Sequence, residues 1–85
     1  MNTNELISEI IYYFIYFEMI EIDNDDDKIS IAIEIANRLE NAMCLNNLIA
    51  IFQVEVRKKS VNKQSEKRLD VLLLELENRK IMLEH

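Results

Sequence analysis

An all-α fold, a small antiparallel bundle of three or four helices, follows from two absences and one pattern in these 85 residues. The chain has no glycine and no proline, where average usage would give roughly ten. Glycine supplies positive-φ backbone for tight turns and proline sets turns and ends helices. Without them a chain is poorly equipped for hairpins or phosphate-cradling loops, but helices joined by Asn, Asp and Ser connections remain open to it. The third observation is apolar spacing of three and four residues across a chain that is 49% hydrophobic, which signals amphipathic helices.

The first helix starts near Asn2, Thr3 or Asn4, any of which can cap it, with Glu5 placed against its N-terminal dipole. Leu6, Ile10, Phe14 and Phe17 form one stripe, and Ile7, Ile11 and Ile15 widen it beyond half the circumference. Glu5, Glu9, Tyr12 and Tyr16 share what remains. A helix this apolar needs more than one neighbour, so it is expected at the centre of the bundle or in a subunit interface. Tyr12, Tyr13 and Tyr16 read either as edge-of-core residues with hydroxyls in water or as part of a partner-binding surface.

The first connection is expected at 23–27, with Asp25, Asp26 or Asp27 capping the second helix. Ile29, Ile31, Ile33 and Ile35 alternate as a strand would. The continuation decides for a helix, because Ile31, Ile35, Leu39 and Ala42, with Ala32, Ala36 and Met43, share one face. Ser30, Glu34, Asn37, Arg38 and Asn41 share the other, and Glu34–Arg38 is a favourable i,i+4 pair. Asn46-Asn47 is the next expected turn. Leu48, Ile49, Phe52 and Val56 form a third stripe, and Leu69, Leu72, Leu73 and Leu76 a fourth. On one uninterrupted helix these stripes would lie about 120° apart. A break between Lys58 and Ser65 is therefore expected, with Ser60, Asn62 or Ser65 as the new cap; a single long helix that changes partners is the alternative.

Residues 1–82 read as a single domain, and Leu83-Glu84-His85 as the remnant of a purification tag. That sets aside the only histidine. The one cysteine, Cys44, permits no internal disulfide and no multi-thiolate zinc site, and it reads as a small buried apolar residue. The first residues are polar and acidic, unlike a signal peptide, and the strongest apolar run, Ile10 to Phe17, is far short of the ~20 residues that span a bilayer. A cytoplasmic protein without membrane association is expected.

The net charge of −6 is unevenly spread. Residues 1–45 carry a net −8 and residues 46–85 a net +2, with six bases between Arg57 and Arg68. In an up-down bundle the first and third connections share one end, so the acidic 21–27 and basic 57–68 segments are expected to face each other. Asp23, Asp25, Asp27 and Glu34 also match positions 1, 3, 5 and 12 of an EF-hand calcium loop, but Lys28 stands where such a loop turns on glycine. No catalytic, cofactor-binding or metal-binding residue is assigned, since Ser, Thr and Cys lack a histidine partner and Glu75 and Glu77 point to different faces.

The function expected from these residues is binding, not catalysis. A small acidic helical protein–protein interaction module, of the kind found among chaperones, inhibitors, immunity proteins and antitoxins, fits best, with self-association as a homodimer. No small-molecule substrate is expected. The alternative is a nucleic-acid-associated regulator using residues 57–68, and a third reading is a weakly calcium-responsive helix pair at 23–34.

Overall fold

A computed structural model describes residues 1–59 and 62–84. Four helical rods follow one another. These are α1 (Thr3–Tyr16), α2 (Asp25–Arg38), a third rod made of α3 (Ala42–Ile51), a π-helical segment (Phe52–Val56) and α4 (Arg57–Lys59), and finally α5 (Lys63–Glu84). Each rod packs on the next, and α5 returns to α1, so the bundle closes on itself. The expected all-α bundle is what forms.

Asparagine starts every rod. The carboxamide oxygens of Asn2, Asn24, Asn41 and Asn62 accept the backbone N–H of Glu5 (2.8 Å), Asp27 (3.0 Å), Cys44 (3.1 Å) and Ser65 (2.8 Å). Each satisfies one of the orphan donors of a helix N-terminus. Asn2 also donates to the Glu5 carboxylate at 2.7 Å, which makes that cap reciprocal, and Asp27 accepts the N–H of Asp23, the residue before the Asn24 cap, at 3.3 Å.

Three sequence expectations change here. The first connection is 17–24, ahead of the expected 23–27, because Asn24 caps α2 and Asp25, Asp26 and Asp27 become its first turn. Carboxylates are favoured there by the helix dipole. The second helix stops at Arg38, with Leu39 as its C-cap, and Asn41 opens α3. Asn46 and Asn47 consequently lie inside α3, exposed, and make no turn. Leu39 keeps its place in the core, but Met43, expected on the same face, is 77% exposed. The expected break between the last two stripes is present, with Asn62 as cap; Ser60 lies outside the described residues.

The α1 C-terminus is a Schellman closure built without glycine. The amides of Glu18 and Met19 donate to the carbonyls of Ile15 (3.0 Å) and Phe14 (2.8 Å), with Glu18 at φ 56°. Behind it, Phe17, Met19 and Ile22 of the connection pack on the core.

Leu6, Ile10, Ile11 and Tyr13 of α1 meet Ile35, Leu39, Leu45, Leu48, Ile49, Phe52, Val56 and the four leucines Leu69, Leu72, Leu73 and Leu76. Phe52 sits at the centre, stacked on Phe14 (centroids 5.5 Å apart, 16° between planes) and edge-on to Tyr13 (5.7 Å, 81°). No polar or charged residue is buried among the described residues. All eight apolar residues of the third and fourth stripes are in this core. Ile15 is not; it is 45% exposed.

Candidate interaction surface

Folding leaves α1 in contact with both α2 and α5, so most of its apolar face is consumed inside the chain. What stays outside is specific. Tyr12 and Tyr16, one turn apart, stack at 5.7 Å with 19° between planes, and Tyr16 is 61% exposed. Tyr13 points inward, and its hydroxyl reaches the Ser65 carbonyl at 3.5 Å. Burial pushes the Tyr13 phenol up to about 12, with Arg68 opposing the shift and Glu9 and Tyr12 adding to it.

Arg68 of α5 lies over the Tyr12 ring, 3.9 Å from its centroid, a cation–π stack. Its Nε and Nη2 donate to the two carboxylate oxygens of Glu9, the second at 3.0 Å. That bond, foremost, holds the guanidinium above its ordinary value. The fork of Glu9 orients Arg68, and Arg68 fixes Tyr12. Beside this clamp Tyr12, Tyr13, Tyr16 and Phe17 face Asn62, Gln64, Ser65 and Arg68 across a depression of about 350 Å³.

A second depression, about 240 Å³, opens where α1, the first connection, α2 and α3 meet. Phe14, Ile20, Ile31, Ile35, Leu48 and Ile51 line it, and the Glu34–Arg38 pair (2.9 Å) stands beside them. That pair carries no net charge, so the groove is apolar with a neutral wall. Ile20 continues directly into the acidic run Glu21 to Asp27, which puts negative charge at one end. Ile29 and Ile33, each 58% exposed, lie on the opposite side of α2 and do not belong to this groove.

Half of the six bases in the basic segment have partners within the chain. Arg57 pairs with Asp70 at 2.8 Å, Arg68 with Glu9, and Lys59 donates to the Phe17 carbonyl at 3.4 Å, at the negative end of α1. Lys59 thus ties the end of the third rod to the C-terminal end of α1. The charges do not meet as expected, however. Among the described residues no ion pair joins 21–27 to 57–68, because the aspartates are turned into the first turn of α2.

The EF-hand spacing is not assembled either. Residues 25–34 are helical, so Glu34 stands about 10 Å along the axis from Asp27 and pairs with Arg38. Among the described residues no group of three or more His, Cys, Asp or Glu is placed to hold a metal ion, and no helix is long and apolar enough to cross a membrane. Cys44, expected to be buried, is only half-buried, and its thiol is free.

Neither groove was visible as a local pattern. The Glu9–Arg68 clamp joins residues 59 apart in the chain, and the apolar groove needs four separate segments. Only the Tyr12/Tyr16 spacing pointed to an exposed aromatic pair. Comparison with known protein families, curated proteins and solved structures finds no match to this chain.

Proposed function

We propose that this chain is a non-catalytic protein–protein interaction module of the cytoplasm, acting by binding a partner protein and by self-association. The observation that carries the reading is the apolar groove between Phe14, Ile20, Ile31, Ile35, Leu48 and Ile51, with the acidic 21–27 segment running on from Ile20. Apolar surface that a small domain leaves open beside a charged border is the usual composition of a docking site. The partner that suits it is an apolar segment with basic flanks, its side chains seated in the groove and its charges over Glu21 to Asp27. The long-range field of that acidic end would speed encounter more than it would tighten the complex.

A site-specific photo-cross-linker at Ile51, in the native host, tests this. One defined partner should be captured from position 51 and not from Asn4, which is exposed near the start of α1, and Ile31→Glu should abolish the capture. Equal labelling from both positions, or capture that survives Ile31→Glu, overturns the reading.

A further inference from the structure

The outer face of α5 carries a second apolar stripe that the bundle does not use. Opposite the buried Leu69, Leu72, Leu73 and Leu76 stand Val71, Leu74, Asn78 and Ile81, all exposed. Val71 is 53% exposed, Leu74 60% and Ile81 52%. Their spacing of three, four and three residues is that of heptad positions a, d, a and d. A helix with one leucine face in its own core and a separate heptad seam on the opposite side has two partners to satisfy.

We propose that a second copy of this chain covers this seam, with the two α5 helices parallel and in register. The residue types select that occupant. A β-branched residue at a with leucine at d, as in Val71 and Leu74, favours two parallel strands; Ile81 at the second d does not share that preference, and the single asparagine at a, Asn78, sets register and oligomer state. In this arrangement Asn78 meets Asn78 of the other copy, so two amides satisfy each other. An antiparallel pairing of Val71 with Ile81 would instead set Asn78 against Leu74 and leave a polar group without a partner. Beside the seam Arg57 pairs with Asp70, Arg68 with Glu9 and the N-terminal amine with Glu75 within each chain. However, Lys67, exposed at the d position one heptad before Leu74, meets Lys67 of the other copy, so added salt should strengthen the pairing. The seam is about two heptads long, shorter than a self-sufficient coiled coil, so the dimer is a weak one. The proposal rests on the self-associating half of the reading above and uses a face separate from the groove.

Sedimentation of the whole chain from about 10 µM to about 1 mM should show the mass rising from one chain towards two, the range of a small interface. Leu74→Glu, at an exposed position, should hold the mass at one chain throughout with an unchanged melting temperature at low concentration. In a Cys44→Ser background, Asn78→Cys should oxidise to a covalent dimer. A wild-type chain that stays monomeric, or a dimer that survives Leu74→Glu, overturns the proposal, and a dimer without cross-linking at 78 overturns its orientation. Ile51→Glu should leave the dimer intact, which separates failure of the seam from failure of the groove.

Discussion

Asn41 separates two helices with one hydrogen bond: its carboxamide oxygen takes the Cys44 amide at 3.1 Å, and the chain turns there, five residues before Asn46. The apolar stripe runs on through this point from Leu39 to Ala42. The cap, more than the hydrophobic pattern, therefore decides where α2 ends. Asn41→Ala should cost about 1 kcal/mol. Asn46→Ala and Asn47→Ala, inside α3, should shift stability by less than about 0.5 kcal/mol, towards stabilisation because alanine is the better helix former. Urea midpoints of the three variants check this, and equal losses at 41 and 46 would place the turn elsewhere.

The left-handed backbone at Glu18 is the most direct cost of a glycine-free sequence. A non-glycine residue there is disfavoured by about 1–2 kcal/mol, partly offset by the greater freedom that glycine has when unfolded. Glu18→Gly should stabilise the chain by about 0.5–1 kcal/mol. A higher urea midpoint with an unchanged m-value is the expected signature.

Arg68 combines a bidentate bond to Glu9 with a stack on Tyr12. Both use the planar guanidinium, so Arg68→Lys should lose nearly as much as Arg68→Ala. Because the arginine is about half exposed, the Glu9–Arg68 coupling in a double-mutant cycle should be no more than about 1 kcal/mol. It should shrink in 1 M salt. A lysine variant as stable as wild type would reduce the clamp to a simple ion pair.

Tyr13 supplies a pH dependence with a definite sign. Its phenol ionises near 10 when unfolded and at about 12 when folded. Between these values the unfolded chain holds fewer protons than the folded one, so stability is complete below pH 10 and falls as pH rises towards 12. Tyr13→Phe should flatten the melting temperature between pH 9 and 11 relative to wild type. A wild-type profile that is already flat would mean the ring is not held away from water.

The helical class, the core stripes 48–56 and 69–76 and the break near 62 were legible because each depends on residues close in sequence. The limits of α2 were not. Leu39, Ala42 and Met43 continue a stripe geometrically, and only the competition of Asn41 for the Cys44 amide interrupts it. Four asparagines cap, while Asn4, Asn37, Asn46, Asn47 and Asn78 sit in helices, so residue type alone does not separate the two roles. The groove and the Arg68 clamp were beyond reach for another reason. Both exist only once helices distant in sequence have come together.

The return of α5 to α1 also fixes an order of events during synthesis. Arg68 and Ser65, which close over Glu9, Tyr12 and Tyr13, leave the ribosome more than fifty residues after those partners. At about 5–20 residues per second, that side of the first helix stays uncovered for several seconds in every new chain. The same aromatic surface that ends as a half-open wall therefore begins as a fully open one, on a polysome crowded with identical chains.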